Sequence, residues 1–350
     1  MLADRATGRA TASAPAAPRA VGAYASAARR SRAHLRTAAL VAVALALTVL
    51  LLTWDNRFEP FSDRWWRVTS MRTTTVVVIA LVTFCQAHAT VAFQTVTNNR
   101  ILTPSIMGFE SMYVLIQTAV VFVFGTTSVS GLSPTWRFVL QSAAMVLFAV
   151  LLYSWLLSGR FGNLHVMLLV GIVLGTAMSS LSTFLQQLLD PSTFDVLRAR
   201  LFGSIGNADT GLLWLVVPIC AVAGGAVLLL SRRLDVLALG GDISTGLGIR
   251  HRRQVMLMLT LVAVLMAMST SLVGPMTFLG FLSATLAYAV ADTHEHRRVL
   301  PTAWLVGYVI LTGAYFLLRH VFSLVDSVTI VVELIGGILF LLVVFRKGRL

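Results

Sequence analysis

The chain has 350 residues, of which 57% are hydrophobic and 12% charged, with a mean hydropathy of +0.85. That is too apolar for a water-soluble surface, so lipid is the solvent, and at roughly 20 apolar residues per crossing the length accommodates about ten spans without a separate soluble domain. The formal net charge is +13, but every basic residue except Lys347 is an arginine placed between apolar runs or in the N-terminal stretch, which fits membrane topology and not a nucleic-acid face.

Residues 1–35 are rich in Ala, Ser and Arg and carry one acid, Asp4, so they read as a disordered basic cytoplasmic tail. Residues 36–350 form the transmembrane domain. Its apolar runs fall at about 37–53, 73–92, 106–124, 138–157, 164–188, 210–230, 254–272, 276–291, 303–321 and 326–345. The first run is long enough to span, and the charged stretch before it is too long for a cleavable leader. All runs are assigned as helices, because they lack the alternating pattern of barrel strands and backbone polar groups in lipid must be satisfied internally. The fold class is therefore all-α, a polytopic helical bundle.

The loops set the orientation. With ten spans and the tail inside, the cytoplasmic side collects the tail arginines, Arg100, Arg160, Arg232, Arg233, Arg250, Arg252, Arg253, Arg297, Arg298, Arg346, Lys347 and Arg349. Both termini are then cytoplasmic, and Trp54, Trp65, Trp66, Trp136 and Trp214 fall near outer span ends, at headgroup level. Two connections are more than tethers. Segment 190–209 has Phe194, Leu197, Leu201 and Phe202 at helical spacing, which predicts a short interfacial helix. Segment 231–253 reads as two short helices on the cytoplasmic face with glycine corners, Asp242 being placed to cap the second.

Several polar residues lie within the apolar runs. Glu333 sits mid-span, where a charge is costly, and shares a helix side with Thr329, Gly336 and Gly337. It is either a hydrogen-bonded packing residue or part of a substrate path. Gln86, Thr90 and Gln94 form a stripe four residues apart, either interhelical glue or a wet wall, while His88 on another face reads as structural. Gly171, Gly175, Ser179 and Thr183 form a small-residue ridge, read as a packing seam or a pore lining. Cys85 and Cys220 read as buried small hydrophobes with no disulfide or metal site. The turn THEHRR at 293–298 reads as a solvated charged turn in preference to a metal site. No P-loop, HExxH or nucleophile elbow occurs, so neither an enzymatic activity nor a cofactor is assigned, and nucleotide must be bound by another subunit if ATP drives transport.

Four segments then resemble the iron-chelate and vitamin B12 uptake permeases, in order from about Leu35 to the C-terminus. QTVTNNRILTPSIMGFES (94–111) is similar to their polar loop after the second span, with Asn99, Pro104 and Gly108 at the recurring positions. VLALGGDISTGLGI (236–249) resembles their cytoplasmic coupling loop, GPMTFLGF (274–281) their Gly-Pro-Ile-x-Phe-Val-Gly segment, and FGSIGN (202–207) their Gly-Ser turn. Departures include Ala284, Thr285 and Tyr288 where a Pro-His pair and an Arg are usual, Arg100 in place of a Pro, and Ile338 in place of a Pro in the last span. The Asn-Asn-Arg and Thr-Phe-Leu-Gly forms resemble the subgroup importing ferric siderophores of the catecholate or petrobactin type.

That resemblance implies a type II ATP-binding cassette importer in the cytoplasmic membrane: two permeases, with a non-identical second permease favoured over a homodimer, an ATPase dimer below and a substrate-binding lipoprotein outside. It further implies coupling to the ATPase through Leu237, Ala238, Leu239, Gly240, Gly241, Leu247 and Gly248, and docking of the lipoprotein at Arg72 and Arg319. Thr75 stands where the family has a second docking arginine. The path or gate is expected among Gln86, Thr90, Gln94, Asn98, Asn99, Ser179, Thr183 and Glu333. The rival reading is a stand-alone ion-coupled secondary transporter, motivated by Glu333.

Overall fold

The computed structural model describes residues 24, 26–56, 58–130, 133–158, 164–201, 205–206, 208–322 and 328–347. Within them the chain forms thirteen α-helices and no strand. Seven helices are long and apolar enough to cross a membrane: α1 (Ala27–Thr53), α2 (Asp63–Val96), α4 (Pro134–Ser158), α5 (Leu164–Gln187), α7 (Leu213–Leu229), α10 (His251–Val273) and α12 (His296–His320). Three shorter apolar helices, α3 (Phe109–Ser130), α11 (Leu279–Ala291) and α13 (Val328–Lys347), complete the expected set of apolar segments. The short helices α6 (Pro191–Leu201), α8 (Ser231–Leu237) and α9 (Gly241–Gly246) occupy the two structured connections.

Helix α1 begins inside the stretch 1–35 expected as a tail. Ser26 accepts a hydrogen bond from the Arg29 N–H, and helix begins at Ala27, because an Ala- and Arg-rich stretch propagates a helix well once capped. Arg36, in this early part, donates to the Ala289 carbonyl at 3.3 Å. Residues 1–23 of the expected tail, Arg160, Phe202, the Gly203–Ser204 turn and Asp326 lie outside the described residues.

Helix α2 is the axis of the bundle. It packs against α10, α11, α12, α7 and α1, and nearly every residue from Val78 to Val96 is buried or partly buried. Its 34 residues reach about 51 Å at 1.5 Å per residue, so it is longer than the hydrocarbon layer is thick, and it also touches the short helix α8. Helix α10 ends at Gly274, whose φ of 86° only glycine adopts readily, and Pro275 prevents its continuation. Helix α11 then starts at Leu279 and runs back toward α12. Small residues set the spacing between helices: a Cβ on Gly280 would lie 2.1 Å from Thr90 Oγ1 in α2, and one on Gly108 would lie 3.0 Å from the Gly175 backbone in α5. The apolar residues Val173, Leu181 and Phe184 of α5 and Ile335, Ile338 and Leu342 of α13 stay exposed, a surface that lipid or another membrane subunit must cover.

Candidate translocation and coupling sites

The acid in the last span has a partner that the sequence reading passed over. Glu110, in the first turn of α3, is brought to Glu333 by the break between α10 and α11. The Thr277 hydroxyl donates to Glu110 Oε2 at 2.6 Å and lies 3.3 Å from Glu333 Oε1. Ser105 and the Met276 backbone also reach Glu110. Three separate segments thus converge on one pair of intramembrane carboxyls, a constellation with hydrogen-bond donors arranged around it. A Cβ on Gly336 would meet the Phe278 side chain at 2.3 Å, whereas one on Gly337 would meet nothing within 4 Å. Packing and an open face therefore coexist on the Glu333 side of α13.

The stripe on α2 divides. Gln86 and Thr90 are each 1% exposed and enclosed by α10 and α11, with Gln86 Nε2 donating to Ser269 Oγ at 3.3 Å. In this conformation they pack between helices. Gln94, one turn further, donates to the Arg100 carbonyl at 2.7 Å and lines a cavity. His88 is fully buried; its Nδ1 lies 2.8 Å from the Phe84 carbonyl and its ring meets that of Phe84 at a tilt of 39°. On α5, Ser179 donates to Ser111 at 2.9 Å, continuing the seam of Gly171 and Gly175 against Met107 and Gly108, while Thr183 is exposed. Cys85 and Cys220 are buried free thiols 3.3 Å apart.

This cavity encloses about 770 Å³. Asn98, Asn99 and Arg100 form one wall, Ala238 and Leu239 another, and Tyr288, His294 and His296 a third. Asn98 holds a left-handed φ of 50°, which asparagine tolerates, and Asn99 accepts from the Ile101 N–H at 2.9 Å, so both side chains shape a tight turn after α2. Arg100 lies over the Tyr288 ring at 4.4 Å and 3.1 Å from His294 Nδ1. The residue replacing the usual proline, and one replacing the usual Pro-His-Arg set, therefore contact each other. Asp235 pairs with His296 at 2.6 Å. Burial alone would push the Asp235 carboxyl up, but the ring and backbone N–H of His296 hold it below the ordinary carboxylate range.

The coupling segment has the shape its sequence predicts. Gly240 (φ 92°) and Gly248 (φ 82°) make the corners at either end of α9. Leu237 is buried against the bundle, whereas Leu239, Ile243 and Leu247 are 53%, 55% and 61% exposed, an apolar set presented by two short helices. Gly240 itself is the N-cap and no side chain caps α9; Asp242 lies in its first turn, which corrects the capping role assigned to it. A Cβ at Gly240 would meet nothing within 4 Å, so the corner excludes side chains through its φ and not through crowding within the chain.

Arg72 and Arg319 are partly engaged. The Arg72 guanidinium donates to the carbonyls of Leu51 at 3.3 Å and Leu52 at 3.4 Å, and also to that of Trp54, closing the C-terminal end of α1. It is a capping residue, a role the sequence did not reveal because its partners lie some twenty positions upstream. Arg319 donates to Tyr315 Oη at 2.7 Å and stands close enough to Arg72 to repel its charge.

The family model for the FecCD transport family matches residues 35–346. The petrobactin import system permease protein FatC of Bacillus anthracis is 44% identical over 311 residues, covering 89% of this chain and 88% of that protein. The petrobactin import system permease protein YclO of Bacillus subtilis (strain 168) is 35% identical over 318 residues, covering 91% and 99%. Among solved structures, a metal-chelate type ABC transporter in an inward-facing conformation superposes with a TM-score of 0.76 at 21% identity, over 89% of this chain and 98% of that one, which establishes the shared fold. The chain belongs to the FecCD transport family.

Proposed function

We propose that this chain is the membrane-spanning permease subunit of an ATP-driven importer that carries a ferric siderophore across the cytoplasmic membrane. The observation that carries the reading is the exposed apolar set Leu239, Ile243 and Leu247, held by glycine corners on the cytoplasmic face of a bundle belonging to a transport family. Such a surface on two short helices needs a partner, and an ATPase subunit that pushes there supplies both the cover and the energy. Relatives named for petrobactin import support a ferric siderophore as the cargo. The exposed faces of α5 and α13 suit a second permease, with a non-identical one favoured, and Arg319 with the outer end of α1 and α2 suits a binding lipoprotein. Within this reading Asn98, Asn99 and Gln94 belong to the cytoplasmic gate, and Glu110 and Glu333 flank the path. Both termini are cytoplasmic.

The Glu110–Thr277–Glu333 cluster is the specific observation that favours the second reading, an ion-coupled secondary transporter, since intramembrane carboxyls from separate helices are what such a carrier uses. Purification in mild detergent separates the two. The importer brings an ATPase subunit with it, and proteoliposomes take up ferric petrobactin only with ATP; uptake driven by an ion gradient without any ATPase refutes the importer.

A further inference from the structure

Asp235 lies in the last turn of α8, immediately before the coupling residues Leu237–Gly241. Its Oδ1 accepts the His296 backbone N–H at 2.9 Å and the His296 Nδ1 at 2.6 Å. The first residue of α12 is thus capped by a carboxylate from another element, while Glu295, at the N-cap position, makes no side-chain capping bond. The His296 ring is 3% exposed, and its Nε2 lies 2.6 Å from Thr95 Oγ1 in the last turn of α2. Thr95 Oγ1 also lies 2.8 Å from the Val91 carbonyl, so the hydroxyl sits between the ring and the backbone of α2. One imidazole therefore joins α8, α12 and α2 through short, directional bonds.

We propose that the Asp235–His296–Thr95 chain is the strut through which movement of the coupling helices α8 and α9 reaches the cytoplasmic end of α2 and the cavity beside Asn98 and Asn99. Apolar contacts between helices transmit a push but allow sliding; a charge-assisted hydrogen bond on a buried ring resists separation too, so it carries both strokes of a cycle. The strut ends where it is needed. Thr95 precedes the turn containing Asn98 and Asn99 by a few residues, and Thr95, Asp235 and His296 all line the same cavity as the coupling residues Ala238 and Leu239. The three residues are positioning residues, with no contact to cargo required of them, and the inference rests on the importer reading above.

The test uses the complete transporter in nanodiscs and proteoliposomes, with ferric petrobactin as probe. Thr95→Val keeps the side-chain shape and removes the hydroxyl that bonds His296; Asp235→Asn keeps an acceptor for the backbone N–H and removes the charge. Both variants are expected to give wild-type amounts of folded complex and wild-type basal ATP hydrolysis, while uptake and the stimulation of hydrolysis by loaded binding protein fall by roughly tenfold or more, the size of a lost charged hydrogen bond. Thr95→Ser restores both. If the variants transport and respond like wild type, or if uptake falls only in proportion to folded complex, the strut is wrong while the importer stands. A wild-type complex that recruits no ATPase overturns the importer reading and the strut with it.

Discussion

Gly280→Ala isolates the packing that the motif GPMTFLGF encodes. A Cβ built at this position comes within 2.1 Å of Thr90 Oγ1, 3.2 Å of Thr90 Cβ and 3.2 Å of the Gln86 carbonyl, so α11 and α2 cannot keep their spacing. In an open helix position the same change is favourable by about 0.8–1 kcal/mol, because alanine loses less backbone entropy than glycine. Here overpacking in a site enclosed on all sides costs about 1–3 kcal/mol and outweighs that gain. Gly225→Ala in α7 is the control: a Cβ there meets nothing within 4 Å, so only the propensity term acts and stability is unchanged or slightly higher. Thr90→Ala removes the clashing oxygen, which has no hydrogen-bond partner, so alone it costs little. The double variant Gly280→Ala with Thr90→Ala recovers most of the loss, giving a coupling energy on the order of 1–2 kcal/mol. Reversible unfolding of the purified protein in mixed micelles measures all four species. If Gly280→Ala matches Gly225→Ala, or if Thr90→Ala fails to rescue it, the close approach of α2 and α11 does not constrain the fold.

Glu333→Gln leaves assembly intact, because the amide still accepts from Thr277, whereas Glu333→Leu lowers assembly by about 1–3 kcal/mol if the contact is structural; equal assembly and uptake in both removes Glu333 from any role. Arg319→Glu weakens docking of the binding protein at unchanged yield, and Arg72→Glu also lowers yield because it uncaps α1; unchanged affinity of the Arg319 variant at low salt refutes the docking surface. Gly240→Trp imposes a side chain on a φ of 92° and places an indole on the coupling face, so folded protein persists while ATPase recruitment and uptake stop; normal uptake moves the point of force to the turn before α12. A cysteine at Asp209 labels from outside and one at exposed Gly241 only from inside, with native Cys85 and Cys220 buried and silent; Gly241 serves better than Thr293, which is buried.

What the sequence made legible follows from what lipid demands locally. Each spanning helix must satisfy its own backbone and present apolar side chains, so the runs at 37–53 or 303–321 announce themselves without reference to neighbours. The glycine corners of the coupling segment were legible for the same reason, since a φ of 92° at Gly240 is a property of one residue. Polar residues inside the bundle are different, because their meaning lies in a partner on another helix. Gln86, Thr90 and Gln94 share one face of α2, yet the first two are sealed by α10 and α11 and the third opens on a cavity. Arg72 looked like an outer charge awaiting a protein partner and is bonded to the end of α1. Glu110 was the recoverable omission: it is an acid at the start of an apolar run, subject to the same cost that drew attention to Glu333, but it was read only as part of a motif. His296 was not recoverable, for nothing in THEHRR distinguishes the histidine that faces Asp235 and Thr95 from His294 two positions earlier, which faces Arg100. That discrimination is made by the turn between α11 and α12, where Asp292 takes a left-handed φ of 47° and starts the short link that sets His296 as the first residue of α12. Interior chemistry in such a bundle is therefore assigned by the helix ends, and it is at the ends of α2, α8 and α12 that a search for coupling residues in this chain is best directed.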